Sequence, residues 1–142
     1  LAAERIDRLD VLESDLRYII EREPENAHAL NALGYTLADR TDRHQEALGY
    51  LEQALKLLPD DAAVIDSMGW IKYRLGDTQA ALEYLRQAYA RNQDGEIVAH
   101  LAEVLWVSAQ QEEALKVWRE ASQRLPDDRF LKAIAQRFGW SL

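Results

Sequence analysis

Three histidines, His28, His44 and His100, are the side chains of this 142-residue chain best suited to binding a metal or moving a proton near neutral pH. They are far apart in sequence. They do not form the His-Glu-x-x-His pattern that places two zinc ligands on one helical face. Surface or packing roles explain them best, and contact of His28 or His100 with a bound ligand is the alternative.

The other groups that could take part in catalysis also have structural explanations. The chain has no cysteine, no glycine-rich phosphate loop and no Gly-x-Ser-x-Gly elbow, and its serines have no recognisable base partner. The pairs Asp60-Asp61 and Asp127-Asp128 follow prolines, where aspartate caps a helix N-terminus. The sequence therefore predicts a protein that is not an enzyme and that has no metal site and no cofactor.

A more informative pattern is that of Asp66, Trp70 and Tyr73, which are spaced i, i+4, i+7 and share one face of a helix. They lie outside the apolar stripe that contains Ile65 and Met68. Large aromatic side chains bring much apolar area with few rotatable bonds, which suits binding hot spots. We therefore expect Trp70 and Tyr73 to be partly exposed and to contact a partner.

Charge and hydropathy narrow the class of partner. The 25 acidic and 17 basic residues give a net charge of −8, which disfavours nucleic acid. No apolar run approaches the ~20 residues of a membrane span, and no signal peptide is present. The chain begins at Leu1 rather than Met, so we expect a fragment of a longer protein, with any lipid anchor upstream.

The elements that position these residues recur with a period of about 34 residues. Ala47, Ala81 and Ala114 are 34 and 33 residues apart, and each begins a helical pattern of apolar residues. Pro24 and Pro59 are 35 residues apart, and the expected proline of the next unit is replaced by Gln93. Strand signals are almost absent. The pattern predicts stacked helical hairpins.

This spacing of large, small, alanine and proline positions resembles the tetratricopeptide repeat (TPR), a helix–turn–helix unit. The resemblance implies an all-α fold, a right-handed α-α superhelix forming a TPR solenoid. The predicted parts are a half repeat at residues 4–25, three full repeats at 27–60, 62–94 and 95–127, and a capping helix at 128–138. All belong to one domain, residues 1–142.

By analogy with TPR geometry, certain positions of the first helices line a concave groove. The predicted partner-binding residues are four aromatics rimmed by three charged side chains: Tyr35, Trp70, Tyr73 and Trp106, with Asp66, Glu103 and Arg74. The groove would take an extended segment or a helix of another protein. The alternative is that Trp70 and Trp106 pack between repeats. A carboxylate clamp is disfavoured, because Asp66 and Glu103 would repel a carboxylate.

Three stretches show a closer resemblance: 34–41 (GYTLADRT), 66–76 (DSMGWIKYRLG) and 96–106 (EIVAHLAEVLW). They are similar to the C-terminal region of proteobacterial outer-membrane TPR lipoproteins, adaptors for a periplasmic carboxyl-terminal processing protease. This resemblance implies a scaffold at the periplasmic face of the outer membrane. Its partners would be the protease and its substrates, with cell-wall hydrolases as the expected substrates.

Two other functions remain open. The first is a TPR module in another envelope or secretion assembly. The second is a self-associating structural solenoid, in which Leu9, Leu12, Leu16 and Ile19 of the half repeat lack a partner helix and form a homodimer interface.

Overall fold

The computed structural model of the protein describes the backbone of residues 2–142 and the side chains of residues 8–142, so the side chains at 4–7 of the predicted half repeat lie outside the described residues. Within that range the chain is all α-helical. The helices are α1 (Ala2–Arg22), α2 (Ala27–Arg40), α3 (His44–Leu57), α4 (Ala62–Arg74), α5 (Thr78–Arg91), α6 (Gly95–Val107), α7 (Gln111–Arg124) and α8 (Arg129–Phe138).

Four side-chain caps mark the repeat period in the structure. Asn26, Asp61, Asp94 and Asp128 are the N-caps of α2, α4, α6 and α8, and each accepts a hydrogen bond from the backbone N–H three residues ahead. Such caps satisfy backbone donors that have no partner inside the helix. The capping role predicted for the two aspartate pairs is therefore confirmed for Asp61 and Asp128.

The helices form two layers that differ in spacing. The first helices of the three repeats and the capping helix pack against one another in the order α2, α4, α6, α8, and we call these four helices the inner layer. Helices α3, α5 and α7 pack on the inner layer and do not approach one another closely in the described chain. A stack whose helices are closer on one side curves toward that side, which produces the predicted TPR superhelix.

Close packing within a repeat depends on a small residue. A Cβ atom placed on Gly69 of α4 would lie 2.7 Å from Cγ of Leu85 in α5, well inside van der Waals contact. Leu85 is fully buried beside Ala81. Glycine thus lets the two helices of this repeat approach closely, and the leucine fills the space between them.

An ion-pair cluster joins the half-repeat helix α1 to α3. Arg17 contacts Glu13 at 2.7 Å and Glu46 at 2.6 Å, and Arg43 contacts Glu13 at 2.8 Å. The guanidinium groups of Arg43 and Arg17 lower the pKa of Glu13 to about 2. Helix α1 is therefore held by charge as well as by Leu16, which is buried against the core around α2.

Apolar side chains fill the space between the layers and are most aromatic around α6, α7 and α8. Trp118 and Trp140 pack there at a ring-centroid distance of 5.6 Å, and the Trp118 indole N–H donates to the Leu131 carbonyl at 3.0 Å. None of the helices in the described residues combines the length and the apolar character needed to cross a membrane.

Candidate functional site

The residues predicted to line the groove lie on α2, α4 and α6, the neighbouring helices of the inner layer. They form two polar centres. One lies between α4 and α6 around Asp66, and the other lies between α6 and α8 around Glu103. Each centre contains an acid–base pair whose members are 34 residues apart, one repeat along the chain. We call these pairs clasps, because each joins two adjacent helices of the inner layer.

The first clasp joins Asp66 of α4 to His100 of α6. Nδ1 of the imidazole lies 2.9 Å and 3.0 Å from the two carboxylate oxygens. Both residues are buried, with 3% and 8% of their surface exposed. On the other side of the ring, Nε2 lies 3.1 Å from the Tyr35 hydroxyl of α2. The histidine therefore connects three successive inner helices.

Trp70 lies over this clasp. Its ring stacks on His100 with a centroid separation of 4.2 Å, and its indole N–H donates to Asp39 at 3.3 Å. Only 6% of Trp70 and 3% of Asp66 is exposed, so the expectation of a partly exposed Trp70 rimmed by an accessible Asp66 is wrong. The reason is that His100 of the next repeat supplies both a stacking surface and a base. Packing between repeats is the correct interpretation for Trp70.

The electrostatics of the first clasp favour a charged imidazole. Burial opposes a charge on His100, but Asp66, Glu96 and Asp39 favour it, and together the carboxylates raise the pKa of His100. Burial, followed by these same carboxylates, raises the pKa of Tyr35. When the ring is protonated, Nδ1 donates to Asp66 and Nε2 donates to Tyr35. When the ring is neutral, the Tyr35 hydroxyl can donate to Nε2 instead.

The second clasp joins Glu103 of α6 to Arg137 of α8. The guanidinium Nη1 donates to the carboxylate at 2.8 Å, and the two side chains are 61% and 6% exposed for arginine and glutamate. Glu103 was expected at the groove rim, and that placement is wrong, because Arg137 reaches over the carboxylate and covers it. Burial and the adjacent Glu103 raise the pKa of Tyr73 to about 12.

Trp106 is partly packed and partly accessible. It packs against Trp140 at 5.2 Å and Phe138 at 6.1 Å between ring centroids, and it stays half-buried. Tyr73 is also half-buried, and Arg74 is exposed. Of the seven predicted partner-binding residues, four therefore keep accessible surface, namely Tyr35, Tyr73, Arg74 and Trp106. Their role in binding a partner stays a prediction.

Sequence reasoning missed His100, Arg137 and Asp39 as partners of the predicted residues. A usable signal was present, because His100 follows Asp66 by 34 residues and Arg137 follows Glu103 by the same interval. Opposite charges one repeat apart on first helices come together when the repeats stack. In an isolated helix, only spacings of three and four residues bring side chains together.

The buried histidine of the site is not free to contact a ligand. His100 has both ring nitrogens engaged and its ring covered by Trp70. Within the described chain, no group of three His, Asp or Glu side chains is placed to hold a metal ion. The accessible groups of the inner layer include aromatic rings and guanidinium ions, which suit recognition, together with the carboxylate of Asp39.

Comparisons with known proteins agree with this arrangement. A family model described as tetratricopeptide repeat matches residues 13–62 and 67–129. A TPR repeat-containing protein of Pseudomonas aeruginosa is 56% identical over 103 residues, 72% of this chain and 18% of that protein. Bacteriophage adsorption protein A of Escherichia coli is 44% identical over 73 residues, 51% of this chain and 7% of that protein. The chain thus spans less than a fifth of the length of these curated relatives.

A solved structure shows the same fold. The thermophilic TPR protein of Thermus thermophilus superposes with a TM-score of 0.80 at 23% identity, over 96% of this chain and 76% of that one. The chain therefore belongs to the tetratricopeptide repeat family, whose stacked repeats form extended surfaces for binding other proteins.

Proposed function

We propose that this tetratricopeptide repeat chain is the binding part of a periplasmic adaptor, one that brings a carboxyl-terminal processing protease to its substrates without doing chemistry itself. The observation that carries a binding role is the contrast within the inner layer. Its buried histidine, His100, is sealed, whereas Tyr73, Arg74 and Trp106 keep accessible surface.

The resemblance to outer-membrane lipoprotein adaptors supports the finer assignment. Two of the stretches that carry it, 66–76 and 96–106, contain the clasp residues Asp66, His100 and Glu103. The residues that set the shape of the inner layer are therefore among those that carry the resemblance. In this proposal, a lipid anchor upstream holds the protein at the periplasmic face of the outer membrane, and cell-wall hydrolases are the expected substrates.

The test is direct binding between the purified chain and a purified carboxyl-terminal processing protease, measured by analytical ultracentrifugation. We expect a complex of defined stoichiometry. The matched control is the Thermus thermophilus TPR protein, which shares the fold at only 23% identity and is expected not to bind. Absence of a complex with this chain, or equal binding by the control, contradicts the proposal. Either result favours a module of another envelope or secretion assembly.

Self-association is a second candidate, supported by apolar surface on α1. Val11 is 60% exposed and Leu12 is 37% exposed. Leu16, which was expected to lie open in the same interface, is buried against the core, so the available face is smaller than the sequence indicates. Light scattering at micromolar concentration tests this candidate. A dimer that Leu12→Glu dissociates would support it, and a monomer excludes it.

A further inference from the structure

We infer that one edge of the inner layer is a docking surface for an acidic segment of a protein partner that also carries apolar side chains. The surface consists of Tyr73, Arg74, Trp106, Val107, Arg137 and Phe138, and we call it the aromatic–arginine edge. The inference rests on the proposed scaffold role and names the chemistry of the partner.

The aromatic–arginine edge draws on three helices, and two of its rings, Trp106 and Phe138, lie 6.1 Å apart between centroids. Tyr73 of α4, Trp106 of α6 and Phe138 of α8 all pack against the same core cluster and remain only partly buried. The Arg137 guanidinium lies 4.9 Å from the centre of the Phe138 ring, and Val107 is 50% exposed beside Trp106. Rings and an exposed valine next to guanidinium ions are the composition of a protein-binding surface.

The net charge on this edge is positive because Glu103 and Arg137 neutralise each other, which leaves the charge of Arg74 uncompensated. Glu103 is buried and paired with Arg137, so it presents no open negative charge to a partner. Arg74 is exposed, and within the described residues it makes no ion pair. Arg74 directly follows Tyr73 on α4, and the positive charges of Arg74 and Arg137 both oppose the rise in the pKa of Tyr73. The expected repulsion of a carboxylate by Asp66 and Glu103 is therefore absent here.

The neighbouring part of the inner layer has the opposite sign. Asp39 is exposed and Glu96 is half-buried, and both act on His100 from the side of α2 and the start of α6. An acidic segment is attracted to the aromatic–arginine edge and repelled by this neighbouring part. The charge pattern thus fixes which end of the inner layer such a segment occupies.

Fluorescence anisotropy with defined peptides tests the inference. The probe is a short fluorescein-labelled peptide of glutamate and leucine, and its comparison is the same peptide with lysine in place of glutamate. We expect the glutamate peptide to bind about tenfold more tightly than the lysine peptide, with binding that weakens as salt is added. Arg74→Glu should cost about tenfold in affinity for the glutamate peptide.

The matched control is Arg119→Glu, the same charge change at an exposed arginine of α7, and it should leave affinity unchanged. Val107→Ser should weaken binding of the glutamate peptide without changing the salt dependence of that binding. Equal binding of the two peptides, or equal effects of Arg74→Glu and Arg119→Glu, overturns the inference.

The same variants distinguish this inference from the proposed function. If the processing protease binds the chain and its Arg74→Glu variant equally, the docking surface is wrong and the adaptor role stands. If the peptides discriminate as expected but no protease binds, the docking surface stands and the adaptor role is wrong.

Discussion

The clasp between α4 and α6 is closed, whereas the clasp between α6 and α8 is open. In both clasps, a buried carboxylate on one inner helix contacts a basic side chain 34 residues later on the next inner helix. The base differs. The His100 side chain is 10% exposed and lies under Trp70, whereas that of Arg137 is 61% exposed. The same repeat geometry therefore produces a sealed polar core at one junction and a reachable charged surface at the other.

The difference shows how stability and recognition are divided along the inner layer. A sealed ion pair in low-dielectric surroundings is strongly coupled, and loss of one partner leaves the other unsatisfied. An ion pair with one solvated member contributes less to stability and stays available to a ligand. We therefore expect substitutions at the closed clasp to act on folding and substitutions near the open clasp to act mainly on binding.

The largest expected effect comes from Asp66→Ala. The change leaves the buried His100 without its partner and should lower the free energy of unfolding by about 3 kcal/mol. Urea unfolding followed by circular dichroism measures this loss. A loss below about 1 kcal/mol, the range of an exposed pair, would mean that the two clasps do not differ.

Arg137→Ala is expected to cost less, about 1 to 2 kcal/mol, because water and the Tyr73 hydroxyl can partly solvate Glu103 after the guanidinium is removed. The same urea experiment applies. A control is Arg129→Ala, an exposed arginine at the start of α8, which should change stability by less than about 0.5 kcal/mol. A larger loss for Arg137→Ala than for Asp66→Ala would reverse the comparison.

The clasps should also differ in their response to pH. Because the folded pKa of His100 is raised above its ordinary value of 6.5, its contribution to stability is fully present below pH 6.5 and is lost as pH rises through the folded pKa. Guanidinium groups stay protonated, so the open clasp has no such dependence on its base. Urea unfolding across this pH range should show the decline in the natural chain and in His28→Gln. Burial also raises the pKa of Asp66, so the decline should be absent only when both members are replaced, as in Asp66→Asn with His100→Gln. Its persistence in that double variant would exclude the clasp as its source.

The smallest expected effect is a gain at the turn after α6. Ala109 has a φ of 63°, in the left-handed region, whereas the equivalent position one repeat earlier is Gly76 with a φ of 89°. Ala109→Gly should stabilise the chain by about 0.5 to 1 kcal/mol through release of backbone strain. Thermal unfolding should show a raised midpoint for Ala109→Gly and a lowered one for Gly76→Ala. Changes of the same sign in both variants would contradict this reasoning.

Much of the fold was predictable because it depends on local signals that repeat. Periodic alanines place the second helices, and Asp61 and Asp128 show where two of the first helices begin. These signals act within one helix or one turn. The register of the stack follows from them, because each repeat presents the same faces to its neighbours.

The candidate site was less predictable because its contacts cross repeats. The face that carries Asp66 and Trp70 was identified correctly, but whether that face is open depends on what the next helix places over it. His100 supplies a partner for both residues and seals them. Arg137 lies on a helix that sequence reasoning treated only as a cap, so its contact with Glu103 was not anticipated.

The unequal spacing of the two layers has a mechanical consequence. Because the inner helices touch and α3, α5 and α7 stand apart, bending the stack changes the gaps on the outside while contacts on the inside persist. The stack should therefore bend by changing the gaps between α3, α5 and α7, with the inner layer as its stiff side. Asp66 and His100 join α4 to α6 near the middle of the inner layer, so bending at that junction would strain a buried contact.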